Sequence, residues 1–259
     1  MQTTAPIGLF DSGIGGTSIW KEINLLLPNE NTIYLADSKN APYGLKSKEE
    51  IIALSIKNAE FLLEQNCKLI VVACNTATTN AIKELRTKFK VPFIGIEPAL
   101  KPAVNQTKTH KIGILATKGT LNSELFHDKV KSYTNVTIIE QIGHGLVQLI
   151  ENGDIDSIEM YELLTTYLQP MVDENIDYLV LGCSHYPYLI PQIKKILPRH
   201  IQIIDSGEAV ARQTKTVLEE HNIKNPNTQN GTNVFYSNSD TEVLQNILGC
   251  SKKVSFFDF

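Results

Sequence analysis

The chain has 259 residues, of which 42% are hydrophobic and 20% are charged, and its formal net charge is −4. This length can bury a full core in one large domain or two smaller ones, and the mild acidity argues against nucleic acid as a partner. We recognise no signal peptide and no apolar run long enough to span a membrane, so we expect a cytoplasmic protein with reduced thiols and no membrane partner.

Short apolar runs alternate along the chain with longer segments of helical period. The strands predicted from these runs are, in chain order, 6–10, 32–36, 69–73, 92–96, 111–116, 136–139, 178–181, 202–204 and 234–236. Amphipathic segments such as 47–65 lie between them. This alternation is typical of parallel strands joined by crossover helices, so the fold class is predicted to be α/β.

Three landmarks of the first half recur in the second half, in the same order and at a nearly constant offset. IGLFDSG is echoed by IGILATK, LIVVACNT by YLVLGCSH, and IGIEPALKPAV by IQIIDSGEAVA. One such match between apolar runs could arise by chance, but three in register favour a duplication. We therefore predict two similar three-layer α/β domains that face each other across a central cleft.

Polar side chains follow the predicted strands. Ligands of open parallel sheets bind beyond the carboxyl ends of the strands, so these positions are the candidates for a site. They are Asp11, Ser12, Asp37, Ser38, Cys74, Asn75, Thr76, Glu97, Thr117, Cys183, Ser184 and His185. Amide and hydroxyl side chains, with backbone amides, can hold the carboxylate and ammonium groups of a small zwitterion without a metal.

The glycines of DSGIGG do not form a dinucleotide fingerprint, because Ser18 stands where GxGxxG requires its third glycine. The segment predicts either a backbone-amide nest that a ligand can approach closely or a tight turn into a helix.

Two of the four cysteines, Cys74 and Cys183, each end an apolar run, and the chain has no CxxC pair or zinc-type cluster. Each alone could be a buried structural cysteine. A phosphatase would need arginine six residues later, where Asn80 and Leu189 stand. The closeness of Cys183 to His185 leaves a thiol hydrolase open.

Both cysteines together suit a racemase, in which a thiolate removes a proton from one face of a carbon while a thiol donates one to the other. Asp11 and His185 are the candidates to shuttle or position protons. None of the lysines follows a predicted strand in a context that suggests a Schiff base with pyridoxal phosphate. We therefore expect a site without a cofactor.

The segments IGLFDSGIGGTSI, YLADSKNAPYG, VVACNTATT, GIEPA and LGCSHYPYL resemble the glutamate racemase family in content and order. The resemblance implies a cofactor-independent interconversion of L- and D-glutamate, which supplies D-glutamate for peptidoglycan, with Cys74 and Cys183 as the acid/base pair. It also implies assisting roles for Asp11, His185 and, through the looser match LVQLIENG, Glu151.

The resemblance also implies a set of substrate contacts, to which we add Thr117 from its place after a strand. The set is Asp11, Ser12, Tyr43, Gly44, Asn75, Thr76, Thr117, Ser184 and His185. The family usually has threonine where this chain has Ser184, so the hydroxyl is kept and a methyl group is lost.

The domain boundaries also follow from the resemblance. They give one domain from 1–97 with 206–259, which carries Cys74, and a second from 98–205, which carries Cys183. A homodimer is the default expectation. Alternatives are a racemase for aspartate or another amino acid, the thiol hydrolase, or a non-catalytic two-lobed binding module, which would need no cysteines at its cleft.

Overall fold

The computed structural model of the chain describes residues 2–259, and all of its strand pairs are parallel. The strands are β1 (Ile7–Asp11), β2 (Thr32–Ala36), β3 (Leu69–Val72), β4 (Phe93–Gly95), β5 (Lys111–Ala116), β6 (Thr137–Ile142), β7 (Tyr178–Gly182), β8 (Gln202–Ile204), β9 (Asn233–Ser237) and β10 (Val254–Phe256). The α/β class predicted from the sequence is confirmed.

Helices follow most of the strands. They are α1 (Thr17–Leu26), α2 (Lys48–Glu64), α3 (Asn75–Lys88), α4 (Leu100–Gln106), α5 (Lys118–Leu121), α6 (Glu124–Lys131), α7 (Leu146–Glu151), α8 (Ile158–Asp173), α9 (Ile190–Ile196), α10 (Gly207–Glu220) and α11 (Glu242–Leu248). Short 3₁₀ helices occur at Ser38–Asn40, Tyr43–Leu45 and Tyr186–Leu189. No helix within residues 2–259 is long and apolar enough to cross a membrane.

The strands form two sheets with the same internal order. The first runs β10-β9-β2-β1-β3-β4 and the second β6-β5-β7-β8, so β1 to β4 and β5 to β8 are arranged alike. The predicted duplication into two similar α/β halves is therefore confirmed. Because β3 and β7 are equivalent central strands, the cysteines that follow them occupy equivalent places.

The carboxyl ends of neighbouring strands are level within each sheet. Asp11 pairs with Ala36 of β2, and Phe10 pairs with Val72 of β3. In the second sheet Ala116 pairs with Gly182. The polar residues that follow these strands are thus brought together at one edge of each sheet.

The end of the chain returns to the first sheet, where β9 pairs with β2 and β10 extends the edge. A buried ion pair anchors this return: Lys68 Nζ lies 2.6 Å from Glu30 Oε2, and Glu30 Oε1 accepts the Asn225 N–H at 2.7 Å. Neither charged side chain is more than 2% exposed. The first sheet therefore contains strands from 7–95 and 233–256, whereas the domain boundaries themselves stay a prediction.

The nine strands predicted from the sequence overlap β1 to β9, and β10 was missed because its sequence, VSF, is interrupted by a serine and forms no continuous apolar run. The helix predicted over 47–65 is α2, Lys48–Glu64. It starts at a capping box, in which the Ser47 hydroxyl accepts the Glu50 N–H at 3.2 Å while the Glu50 carboxylate accepts the Ser47 N–H at 2.9 Å.

Candidate active site

Asp11 is the last residue of β1 and lies at the junction of the two halves. Its carboxylate accepts hydrogen bonds from the Gly13 N–H at 2.9 Å and from the Ser184 hydroxyl, which belongs to the second half, at 2.7 Å. Burial raises the pKa of Asp11 to about 6, although His185 and the Ser184 hydroxyl lower it. Asp11 can therefore gain or lose a proton near neutral pH.

Cys74 follows β3 and caps the first turn of α3. Its sulfur accepts the Ala77 N–H at 3.4 Å, and its S–H points at the Ser12 hydroxyl, 3.7 Å away. Burial raises the pKa of Cys74 far above the usual thiol range, and the Asp11 carboxylate raises it further. This environment holds Cys74 as the neutral thiol.

Cys183 follows β7 and has a different neighbour. Its sulfur lies 3.8 Å from Nδ1 of His185, an imidazole that is 1% exposed. Burial alone lowers the pKa of His185, but its bonds to Cys183 and Glu151 and the nearby Asp11 carboxylate raise it well above the ordinary value. This direction favours the imidazolium form of His185, which places a positive charge beside the Cys183 sulfur.

Glu151, the last residue of α7, connects this imidazolium to the first half. Its Oε1 lies 2.5 Å from His185 Nε2 and accepts the Ile14 N–H at 2.7 Å, while Oε2 accepts the Ser38 hydroxyl at 2.9 Å. A charged carboxylate can hold all three donors at once. Glu151 thus fixes His185 against the loops that follow β1 and β2.

Glycine is required where the loop after β1 crosses the imidazole. A Cβ at Gly15 would lie 2.2 Å from His185 Nδ1, and one at Gly13 would lie 1.9 Å from Glu151 Oε1. The DSGIGG segment therefore packs its bare backbone onto the His185–Glu151 pair. The segment turns directly into α1, as one of the two interpretations predicted, and its backbone approaches protein side chains of the other half.

Tyr43 is 1% exposed, and its hydroxyl bonds to residues of its own half. It donates to the Asp37 carboxylate and accepts the Asn58 amide at 3.1 Å. Asn40 and Asn238 also donate to Asp37, at 2.8 and 2.5 Å. Tyr43 can therefore contribute its ring and backbone to a ligand, while Asp37 holds the loop in place.

A group of hydrogen bonds joins α3, in the first half, to the start of α5, in the second half. The hydroxyls of Thr76, Thr117 and Thr120 lie 2.7 to 3.3 Å from one another, and the Asn80 amide donates to the Gly119 carbonyl at 3.1 Å. These bonds cross from one half to the other. Thr120 was absent from the sequence candidates, because it lies on the helix one turn past the strand end.

Asn75 carries unused hydrogen-bonding capacity. Its side chain is 2% exposed, yet neither its oxygen nor its nitrogen forms a hydrogen bond with any residue from 2 to 259. Leaving a buried carboxamide unsatisfied costs about 1–3 kcal/mol, so the group is suited to a bound polar molecule.

These residues line one small cavity between the two halves, with a volume of about 10 Å³. Its walls are Ser12, Pro42, Tyr43, Gly44, Cys74, Asn75, Thr76, Thr117, Val147, Cys183, Ser184 and His185. The predicted residues Asp11 and Glu151 are not among these walls and are hydrogen-bonded to Ser184 and His185, which are. Pro42 and Val147 were missed because an apolar wall leaves no chemical signal in sequence.

No group of three or more His, Cys, Asp or Glu side chains within residues 2–259 is arranged to hold a metal ion. The cavity offers two sulfurs, hydroxyls, one free carboxamide and one imidazolium. This set can bind a small polar molecule and exchange protons with it from two sides.

The family model described as Asp/Glu/Hydantoin racemase matches residues 8–214. The glutamate racemase of Ralstonia pickettii is 46% identical over 93% of this chain and 86% of its own length, and that of Herpetosiphon aurantiacus is 42% identical over 95% and 97%. The crystal structure of a Bacillus anthracis glutamate racemase isoform superposes with a TM-score of 0.89 at 32% identity, covering 99% of this chain and 98% of that one.

The Escherichia coli glutamate racemase, solved with L-glutamate and the activator UDP-MurNAc-Ala, superposes with a TM-score of 0.86 at 32% identity. The superposition covers 97% of this chain and 98% of that one.

Proposed function

The chain belongs to the Asp/Glu/hydantoin racemase family, and we propose that it is a glutamate racemase that moves the α-proton of glutamate between Cys74 and Cys183. The observation that carries the proposal is the pair of buried cysteines, one from each repeat, in the walls of one cavity. Its product, D-glutamate, is a building block of peptidoglycan.

We propose that the two cysteines start from opposite protonation states, Cys183 as the thiolate beside the His185 imidazole and Cys74 as the thiol that burial and Asp11 hold neutral. Cys183 then takes the α-proton from one face of the substrate, and Cys74 gives its proton to the other face. The result is an inverted carbon, a Cys183 thiol and a Cys74 thiolate, which can return the proton in the opposite direction.

Asp11 and His185 assist proton exchange at the sulfurs of Cys74 and Cys183. The pKa of Asp11, about 6, allows its carboxyl to lend or accept a proton near neutral pH. His185 remains charged because Glu151 and Asp11 surround it. We propose that these groups restore the two cysteines between turnovers.

The substrate carboxylates would be held by neutral donors. The free amide of Asn75, the hydroxyls of Thr76 and Thr117, and Gly44 line the cavity together with His185. Such preorganised donors, in a site that excludes water, stabilise the negative charge that develops when the α-proton leaves. Ser12 and Ser184 complete the polar wall.

The direct test is exchange of the glutamate α-hydrogen in heavy water with purified protein and no added cofactor. We expect L-glutamate to be inverted, as measured by chiral chromatography, and to incorporate deuterium, as measured by mass spectrometry. Cys74→Ala and Cys183→Ala should each abolish racemisation in folded protein, whereas Cys67→Ala and Cys250→Ala, at a buried and an exposed cysteine outside the cavity, should leave it intact. Unlabelled, uninverted L-glutamate would refute the proposal.

The competing activities predict other outcomes in the same assays. A racemase for aspartate would invert aspartate faster than glutamate in a substrate panel. A thiol hydrolase would use Cys183 with His185 and form an acyl adduct at that cysteine, visible in the mass of the intact protein.

Three finer features complete the proposal. We infer that the enzyme acts in the cytoplasm on free glutamate and that it forms a homodimer, which light scattering on the purified protein tests. We also propose domains of 1–97 with 206–259 and of 98–205. Their boundaries predict that limited proteolysis cuts first near residues 97–98 and 205–206.

A further inference from the structure

A hydrogen bond joins the two halves outside the cavity walls. The hydroxyl of Thr17, the first residue of α1, lies 2.5 Å from the phenol oxygen of Tyr188 in the 3₁₀ helix Tyr186–Leu189. The Thr17 side chain is fully buried and that of Tyr188 is partly buried. Neither residue touches the cavity that holds the cysteines.

The donor in this bond can be assigned. Thr17 donates its only hydroxyl hydrogen to the Ile14 carbonyl, 2.6 Å away. A hydroxyl has one hydrogen, so the Tyr188 phenol must be the donor to Thr17. The two bonds form a relay from Tyr188 through Thr17 to Ile14, and consecutive hydrogen bonds of this kind strengthen one another.

The relay ends on the segment that holds the imidazolium. The Ile14 N–H donates to Glu151, which in turn holds His185 Nε2, and the backbone of Gly15 packs against the same ring. On the other side, the Tyr188 N–H donates to the His185 carbonyl at 3.2 Å. Tyr188 is therefore connected to His185 both along its own backbone and through the first half.

Two further contacts hold the segment 184–188, which carries Tyr188, against α1. The Ser18 hydroxyl donates to the Ser184 carbonyl at 2.8 Å, which ties the start of the same segment to α1. The ammonium group of Lys21 lies 5.0 Å from the centre of the Tyr188 ring and donates to the Ile247 carbonyl at 3.3 Å. Residues 184–188 are thus held to α1 at both ends.

We propose that Tyr188 and Thr17 are positioning residues for proton transfer at Cys183: their hydrogen bond sets the distance between the loop 13–16 and the segment 184–188, and so fixes His185 beside the sulfur. This inference rests on the proposed racemase function. The phenol itself touches neither the substrate cavity nor a sulfur, so its effect must pass through His185 and Glu151.

The inference predicts a change in kcat with little change in KM. Tyr188→Phe removes one oxygen and keeps the ring, so Asn75, Thr76 and Gly44 still bind glutamate as before. Losing a hydrogen bond that holds the catalytic geometry should lower kcat about five- to tenfold. Thr17→Val breaks the same relay, and the double variant should be no slower than Thr17→Val alone, because neighbours that act through one bond are not additive.

Two variants separate positioning from general stability. Thr17→Ser keeps the hydroxyl and should restore wild-type kcat. Tyr167→Phe is the matched control, because the Tyr167 phenol donates to the His144 carbonyl at 2.9 Å in the same half but has no contact with residues 13–18. It should leave kcat unchanged, and the melting temperature of each variant shows whether it is folded.

The outcomes are separable from those of the proposed function. If the wild-type protein fails to racemise glutamate, the function itself is wrong. If the wild-type protein is active and Tyr188→Phe keeps kcat within twofold or changes kcat and KM together, or if Tyr167→Phe lowers kcat as much as Tyr188→Phe does, the positioning role is wrong. Multiplicative losses in the double variant would show that Thr17 and Tyr188 act separately, which also overturns it.

Discussion

Replacing Asp11 by asparagine removes a charge that the fold buries completely. Burial raises the pKa of Asp11 from 3.8 to about 6, which corresponds to about 3 kcal/mol at about 1.4 kcal/mol per pH unit. The pKa is higher in the folded chain than in the unfolded one, so the stability that this carboxyl contributes is fully present below about pH 4. It is lost as the pH rises through about 6.

Asp11→Asn should therefore stabilise the protein at neutral pH while damaging its activity. The asparagine oxygen can still accept the Gly13 N–H, and its amide can donate to the Ser184 oxygen, so the fold keeps both contacts. We expect a gain of up to about 3 kcal/mol in the free energy of unfolding above pH 7, shrinking toward zero near pH 4. The variant also loses the attraction between Asp11 and His185, so about 3 kcal/mol is an upper bound.

The assay is urea unfolding of both proteins at pH values from 4 to 8, with racemisation measured on the same samples. Asp177→Asn is a control of opposite sign. Burial raises the pKa of Asp177, but hydrogen bonds from Thr107, Lys108 and Thr109 outweigh this and lower it, so its stabilisation is present above its unfolded pKa and is lost at low pH. A stability gap for Asp11→Asn that is the same at pH 4 and pH 8, or that favours the wild type at pH 8, would refute the reasoning.

Three further substitutions test separate contacts. Gly15→Ala places a Cβ 2.2 Å from His185 Nδ1, so kcat for glutamate should fall at least about tenfold in a chiral rate assay; an unchanged kcat would mean that the ring can move freely. Glu151→Gln removes a partner that raises the pKa of His185, so the alkaline limb of the pH–rate profile should move to lower pH, and an unmoved limb contradicts this role. Lys68→Met leaves Glu30 buried without its cation and should lower the free energy of unfolding by about 3–5 kcal/mol, measured in urea, with activity per folded molecule unchanged; a loss below about 1 kcal/mol would mean that the pair is not a buried anchor.

The parts of the fold that depend on local patterns were predictable. Apolar runs separated by helical segments located β1 to β9, because a buried parallel strand has a continuous apolar signature. The repeat placed Cys74 and Cys183 at equivalent strand ends, and this alone pointed to a site between two halves. The contacts of Glu151 were not predictable, because Ile14 and His185 lie 137 and 34 residues away in sequence.

The role of Tyr188 was likewise not predictable from the sequence. In the sequence it is one of two tyrosines in HYPYL, and nothing there indicates that its phenol reaches α1. Only the packing of the two halves brings it within 2.5 Å of Thr17. Asp37 was visible as a polar residue after a strand, but its contact with Asn238 depends on where the returning chain lies. Sequence patterns therefore predict which residues reach the site more readily than which residues hold them there.

The repeat explains the position of the two cysteines but not their chemistry. When the two halves are matched at their cysteines, His185 takes the place of Thr76, and when they are matched at β1 and β5, Asp11 takes the place of Ala116. Two identical surroundings would give two sulfurs in the same protonation state, and a one-proton inversion needs a thiolate facing a thiol. These two departures from the repeat make the two surroundings different, since an imidazole lies beside Cys183 and the Asp11 carboxylate, at the end of β1, raises the pKa of Cys74. The bond between Asp11 and Ser184 then links the two surroundings, so the acid at one cysteine is aligned by the segment that carries the other.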